Sequence, residues 1–165
     1  MASDSFTTAI FLITAIIAAA VLVNAFFPII FTATSTFTKS SAEADERLRT
    51  DVRIINTFAS AGSQSAKVWI KNVGSIRIAD TDIENADLFI GSPGDFDRLS
   101  FDAGGPDGND WNYQILEDAN GYWDDGETIR IDCMSSKIPA RGEVVYFHLV
   151  LPGGVMRSAE FTAGE

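Results

Sequence analysis

Few side chains in this sequence are equipped for chemistry, and none of them is grouped. There is a single histidine, His148, and a single cysteine, Cys133. A Cys/His zinc site draws on about four such ligands, and a disulfide framework needs paired cysteines, so both are excluded. His148 lies in the strand-like run VVYFHLVL, and Cys133 ends the run IRIDCM. Each reads as a packed strand residue, not as a base or a nucleophile. No acid–base pair has a recognisable setting, and no Gly-rich loop opens a helix for a phosphate. The expectation is a protein that is not an enzyme.

The densest polar stretch runs from Asp102 to Asp125, DAGGPDGNDWNYQILEDANGYWDD. In and just after it, Asp118, Asn120, Asp124 and Glu127 offer hard oxygens of the kind a weak extracellular Ca²⁺ site uses. The spacing is not that of an EF-hand. Counting from Asp118, the sixth position is Trp123 where glycine is needed, and the twelfth is Ile129 where glutamate is needed. A solvated turn rich in Asp and Asn is the competing reading. Beyond weak calcium, no cofactor is implied. Phe96, Trp111 and Trp123 stand among these turn-rich segments and have the size and rigidity of interface anchors. Core packing is their other use.

These residues must be carried by short strands. From Thr50 onward apolar residues recur with period two, and the runs are rich in Val, Ile, Phe, Tyr and Trp. Strands are expected over Val52–Ala59, Ala66–Asn72, Ile76–Ile78, Asp87–Ile90, Arg98–Phe101, Trp111–Leu116, Thr128–Cys133, Val144–Leu151 and Val155–Phe161. Gly, Pro, Asn and Asp clusters separate them, and Pro152-Gly153-Gly154 suits a hairpin connection. Short strands with turn signals between them indicate a mainly β domain, an antiparallel Ig-like β-sandwich over residues 50–165.

The N-terminal part has a different composition. Between Asp4 and Lys39 lie 34 uncharged residues, and Ile10–Phe31 contains 14 Ile, Leu, Val or Phe. A helix of about 20 apolar residues crosses a hydrocarbon core of about 30 Å. Residues 1–38 are therefore expected to form a membrane-anchor helix. Its lipid-facing side chains are Ile10, Phe11, Leu12, Ile13, Ile16, Ile17, Val21, Leu22, Val23, Phe26, Phe27, Ile29 and Ile30. Ala15, Ala18, Ala19 and Ala25 form a small-residue strip suited to close helix packing. A core helix is the alternative, and a domain of this size could not enclose it. A cleaved secretory signal is disfavoured, because Met1 to Ser5 has no basic side chain and the apolar run is too long. Residues 39–49 read as a helical stalk or linker.

Charge separates the two parts. The whole chain has a net charge of -11, yet all 12 Lys and Arg, and 22 of the 23 Asp and Glu, lie from Lys39 onward. An acidic domain does not hold nucleic acid by phosphate neutralisation. The Lys and Arg residues that follow the span would place the C-terminal domain in the cytoplasm by the positive-inside rule. Composition alone leaves the topology open.

Several segments, taken in order, resemble a known family. Val68-Trp69-Ile70-Lys71-Asn72-Val73-Gly74-Ser75, with Ile78 soon after, resembles the WVKNVG strand-turn of the FlaG family of archaeal flagellar (archaellum) accessory proteins. Asp87-Leu88-Phe89-Ile90-Gly91, then Gly94-Asp95-Phe96-Asp97-Arg98-Leu99, is similar to that family's D-x-F-x-G and G-x-F-x-R-I segments. Trp111-Asn112-Tyr113, then Asn120-Gly121-Tyr122-Trp123 and Gly126-Glu127-Thr128, is similar to its W-x-Y and N-x-x-W-x-x-G-E-T run. Asn24-Ala25 with Pro28 suits its anchor.

The resemblance implies a stator subunit in the archaeal cell envelope. The N-terminus would be cytoplasmic and the anchor would sit in the cytoplasmic membrane. The β domain would lie between membrane and S-layer, opposite to the Lys/Arg count. It implies self-association, a FlaF-like partner and a tether to the S-layer, directly or through that partner. The sandwich edge strands are the expected contact surfaces. An archaellin or pilin-like filament subunit is the alternative. Such subunits are cut after a basic residue and Gly just before the apolar stretch, and Met1 to Ser5 has neither.

Overall fold

A computed structural model describes residues 2–117 and 120–165. The chain divides into two compact units, Met1–Ala44 and Asp45–Glu165. One helix, α1 (Ala2–Arg49), makes up the described part of the first and begins the second. Its many Ala residues favour the helix, and the Ile, Val and Phe between them are tolerated, moderate helix formers. The Ser/Thr-rich stretch after Phe31 remains helical because its hydroxyls find acceptors one turn back. Thr34 Oγ1 donates to Ile30 O at 2.9 Å, Thr36 Oγ1 to Thr32 O at 2.9 Å and Thr38 Oγ1 to Thr34 O at 3.0 Å. Pro28 lies inside α1, and the helix continues past it.

In the second unit the helix ends in the ion pair Asp45–Arg49 at 3.6 Å. Thr50 N–H and Oγ1 then both donate to Glu46 O, at 2.9 and 2.8 Å. Among the described residues, ten strands and one short helix follow: β1 (Val52–Ser60), β2 (Ser65–Asn72), β3 (Ile78–Ala79), α2 (Asp80–Glu84), β4 (Asp87–Ser92), β5 (Asp95–Phe101), β6 (Asp110–Ile115), β7 (Tyr122–Trp123), β8 (Thr128–Met134), β9 (Val144–Val150) and β10 (Met156–Thr162). Each expected strand overlaps one of these. Sequence reading missed α2 and β7. Both are too short to show a period, and α2 is held by burial of Ile83.

The spatial order is β1-β2-β8-β6-β5-β4-β9-β10. Pairing is antiparallel within β1-β2-β8-β6 and within β5-β4-β9-β10. These two layers bury one core between them. Val68 and Ile70 of β2, Ile129 and Ile131 of β8, and Trp111 of β6 meet Leu88 and Ile90 of β4, and Phe147 and Leu149 of β9. Each such side chain contributes about 1.5–3 kcal/mol by leaving water. The departure from an antiparallel sandwich is at the margins. β5 and β6 pair in parallel through Ser100↔Asp110 and Phe101↔Trp111. On the other side Ser60 bridges Gly164, also in parallel. There Arg157 Nε donates to Val52 O at 2.7 Å, and its guanidinium pairs with Asp51. At the β5–β6 seam the chain itself crosses between layers, whereas at the other seam the first and last strands meet without a connection between them.

Asn72, fully buried at the end of β2, joins three segments. Its Nδ2 donates to Ile76 O at 2.9 Å and to Trp123 O at 3.0 Å, and its Oδ1 accepts from Gly74 N–H at 3.0 Å. Its own backbone bonds the Gly126–Glu127 turn. The turn it shapes receives the end of α1. Ser75 N–H donates to Arg49 O at 2.8 Å, and Val73 and Gly74 N–H donate to Asp51 O at 2.9 and 2.8 Å. Only glycine fits at position 74, since a Cβ would lie 2.4 Å from Arg49 O and 2.6 Å from Asp51 N. Gly91 is required for the same reason, a Cβ there falling 2.6 Å from Phe96 Cα. The K-N-V-G and F-I-G motifs are thus close-approach motifs.

Asn72→Ala removes the amide donor from two carbonyls and one of the two acceptors of the Gly74 N–H, which keeps Asp51 O. It is expected to cost about 2–4 kcal/mol of domain stability, read as a lower denaturant midpoint of the full chain in detergent. A wild-type midpoint contradicts this role.

Candidate membrane and assembly surfaces

Two surfaces stand out, one in each unit. In the first, every side chain expected to face lipid is open. The thirteen residues from Ile10 to Ile30 named above are 50–77% exposed. The most apolar window of α1 has a mean hydropathy of 2.6, and none of it is buried. Large apolar side chains point in all directions from the axis, so the helix needs an apolar surrounding on every side. Ala15, Ala18, Ala19 and Ala25 occupy one strip about 120° wide, at about 100° per residue. Leu22 and Phe26 project within the same arc, so the four alanines are interspersed with larger side chains.

In the second unit the three aromatic candidates part company. Trp111 and Trp123 are fully buried, so of the two uses open to them they take core packing and not the interface role. Trp111 packs on Phe101 with ring centroids 5.2 Å apart. Trp123 donates its indole N–H to Glu127 O at 2.9 Å. Both are core residues because period-two alternation turns them inward. Phe96 is 44% exposed.

Phe96 is not alone on that face. Its ring lies 5.2 Å from Tyr146 and 6.1 Å from Phe89, and Phe89 lies 6.0 Å from His148. Tyr146 and His148 stack with an interplanar angle of 15°, and Tyr146 Oη lies 3.2 Å from His148 Nδ1. Four rings from β5, β4 and β9 therefore share the outer face of one layer. Asp87 and Arg98, paired at 2.6 Å, and Asp95 and Lys137, paired at 2.6 Å, add charge beside them. Asp95 holds the Lys137 ammonium above its ordinary range. The signal was present in the sequence. If Val145, Phe147 and Leu149 face the core, Tyr146 and His148 must face out.

Among the described residues, the calcium candidates Asn120, Asp124 and Glu127 are engaged with one another and with Arg77. Asp118 lies outside the described residues. Asn120 Nδ2 donates to Asp124 Oδ2 at 2.9 Å, Asp124 N–H donates to Glu127 Oε2 at 2.8 Å, and Arg77 Nε lies 3.4 Å from Asp124 Oδ1. These oxygens tie their own turn together. Sequence reading passed over Asp102, Asp107 and Asp110, whose nearest carboxylate oxygens lie within 4.8 Å of one another. They could supply three of the roughly six to eight oxygens that Ca²⁺ takes. Asp102 and Asp110 already accept backbone N–H bonds from Gly104, Asp107 and Gly108. Cys133 is inert by burial, which pushes its thiol up to about 12.

The model of the archaeal-type flagellin family matches residues 2–161 of the chain. An uncharacterized protein of Archaeoglobus fulgidus is 27% identical over 138 residues, covering 79% of this chain and 80% of its own. Among solved structures, the archaellum periplasmic stator protein FlaG from Sulfolobus acidocaldarius aligns at 18% identity. Its TM-score is 0.55, over 68% of this chain and 99% of that one. The FlaF–FlaG stator complex from the same organism aligns at 17% identity with a TM-score of 0.55, over 67% and 87%. The archaeal flagellum of Methanospirillum hungatei aligns at 13% identity with a TM-score of 0.72, over 96% and 93%. At these identities the solved structures establish the fold.

Phe96→Ser is expected to leave stability within about 0.5 kcal/mol of wild type while weakening association, whereas Trp111→Ala should cost about 3–5 kcal/mol. Denaturant melts and sedimentation separate the two. The folded Cys133 value exceeds the unfolded one of about 8.5, so the unfolded chain ionises first. The thiol's contribution to stability is intact below about 8.5 and fades as pH rises toward about 12. Iodoacetamide should therefore leave the native chain unlabelled at mildly alkaline pH and label it fully in denaturant.

Proposed function

The chain belongs to the archaeal-type flagellin family, and from that membership we propose that it is a non-enzymatic, membrane-anchored stator subunit of the archaellum. The observation that carries the reading is the helix surface: α1 exposes uncharged side chains from Ser5 to Thr38, and lipid is the medium that covers such a surface on all sides. About fourteen large apolar residues, each contributing about 0.3–0.6 kcal/mol, make insertion favourable by several kcal/mol. The first charge after the span, Lys39, lies about 12 Å along the helix beyond Phe31, outside the apolar run.

In this reading the N-terminus is cytoplasmic and the β domain extracytoplasmic, beneath the S-layer. The domain is acidic, with 12 Lys and Arg against 22 Asp and Glu, which keeps it soluble and away from anionic lipid. Self-association and binding to a FlaF-like protein hold the assembly, and through it the motor, to the wall. A rotating filament needs such a fixed element. The outer ring cluster around Phe96 is the surface assigned to these contacts. The likeness of the domain to a periplasmic stator protein, and to one in complex with FlaF, supports this choice.

A second reading is a filament subunit. It is favoured by the superposition on the archaeal flagellum, which takes in nearly the whole chain. In a filament the same apolar helix surface would be covered by neighbouring helices.

The two separate cleanly. Shearing is expected to leave the protein with the membrane fraction, and recovery in sheared filaments would support the second reading instead. Deleting it should abolish swimming with the wall intact. Ile17→Arg with Val21→Arg should release the chain from membranes, since each Arg costs about 2.5–3.5 kcal/mol at mid-span. Alkaline carbonate extraction reads this directly, and unchanged retention contradicts a lipid anchor.

A further inference from the structure

The outer face of β1-β2-β8 is charged against the sign of its domain. Lys67, Trp69 and Lys71 point outward from β2, because Ala66, Val68 and Ile70 between them are buried. Register places Arg53 and Phe58 of β1 opposite Lys71 and Lys67. On the other side it places Asp132 and Arg130 of β8 opposite Lys67 and Trp69. The face therefore holds four cations, Arg53, Lys67, Lys71 and Arg130, and one acid, Asp132. Asp132 is engaged by two of them, lying 3.7 Å from Lys67 Nζ and 2.8 Å from Arg130 Nε. Arg53 and Lys71 have no ion pair among the described residues. Like charges directly opposite on antiparallel strands destabilise the pair, so the fold carries a repulsion here that an external anion relieves. Aromatic surface lies among these charges, with Phe58 47% exposed and Trp69 half-buried.

The opposite outer face, around Phe96, has the complementary character. Val144 shares the side of β9 that carries Tyr146 and His148, and it is 42% exposed. The cations of this face are already paired, Arg98 with Asp87 and Lys137 with Asp95. Glu160 of β10 stands opposite Tyr146, is exposed, and has no ion pair among the described residues. One face thus has two uncompensated cations beside aromatic carbon, and the other an uncompensated carboxylate beside aromatic carbon.

We propose that the ring face of one copy docks on the basic Trp69 face of a second copy. Sheet would pack on sheet at about 10 Å, the rings against Phe58 and Trp69, with Glu160 turned toward Arg53 and Lys71 of the second copy. Ring face on ring face leaves those two cations uncompensated, and basic face on basic face adds to their repulsion. The repulsion between two acidic domains is screened over about 8 Å at physiological salt, whereas charges at a contact are much less so. Each copy offers both faces, on opposite outsides of one sandwich. The contact is therefore heterologous, and it closes into a ring or extends as a filament. The inference rests on the self-association reading of the Phe96 face and supplies the surface that face meets. It holds for a stator or a filament subunit.

The test is sedimentation of the full chain in detergent across a range of concentrations. Wild type is expected to assemble beyond the dimer. Arg53→Glu with Lys71→Glu should weaken association at least about tenfold, and so should Phe96→Ser. Mixed in equal amounts, these two variants should form a one-to-one pair and go no further, because one keeps the ring face and the other keeps the basic face. Glu160→Lys should also weaken association, and mixing it with the Arg53→Glu, Lys71→Glu chain should restore it by exchange of charge. That second mixture decides the matter if Phe96→Ser does not fold.

Wild-type association in the Arg53→Glu, Lys71→Glu chain overturns the proposal. So does a mixture that fails to pair, or a wild type that stays monomeric or stops at a dimer. If Phe96→Ser weakens association and the basic-face variant does not, this inference alone fails. If a folded Phe96→Ser leaves association unchanged, the assignment of the ring face fails as well.

Discussion

Asn72 is a buried side-chain amide with every strong hydrogen-bonding direction directed at backbone. It reaches the turn at Gly74–Ile76, the strand at Trp123 and, through its main chain, the Gly126–Glu127 turn. These contacts lie where the last turn of α1 enters the β domain and where β8 begins. Burying an amide is unfavourable unless its bonds are made, so the three segments must come together or the site cannot form. That all-or-none demand makes Asn72 a determinant of uniqueness as well as of stability. Gly74 belongs to the same node, because the backbone of Arg49–Asp51 passes where any side chain would stand.

The second constraint is one of solvent. The chain keeps charge out of one segment and collects it in the other. Residues 5–38 form a helix with no polar face, and such a helix is stable only where water is excluded. Its hydroxyl-bearing residues reach backward to their own helix, leaving few donors unsatisfied. The β domain meets the opposite requirement. Its surface carries the charges, and its apolar side chains turn inward by strand alternation. Family membership and this partition point the same way, toward a component of the archaeal swimming apparatus built on an apolar helix and a β domain.

Within the domain, geometry gives the two margins different characters. At one, Ser60, Gly164 and Arg157 join β1 to β10. At the other, β5 and β6 share only a short parallel pairing, and α2 packs nearby. That second margin leaves room for an acidic cleft beside Asp80 and Glu84. The outer face of β5-β4-β9 meanwhile exposes four rings in mutual contact. Across the sandwich the outer face of β1-β2-β8 is basic. The two faces are thus chemically distinct from a surface that is otherwise acidic and mixed.

Much of this was legible beforehand. Period-two runs located the strands, the uncharged stretch located the helix, and ordered motifs in Trp69–Ser75, Asp87–Leu99 and Trp111–Thr128 pointed to the family. Composition and alternation are local properties, so the sequence by itself determined element type, the division between apolar helix and acidic domain, and which side of each strand is apolar. The neighbours of each side chain depend on strand order, which is not local. Only the tertiary structure decided that Trp111 and Trp123 are core while Phe96 joins rings from two other strands. It also decided that Asn120, Asp124 and Glu127 satisfy one another, and that Arg53 and Lys71 stand opposite each other on one outer face. Those outcomes depend on residues far apart in the chain meeting at one place, and packing alone brings them there.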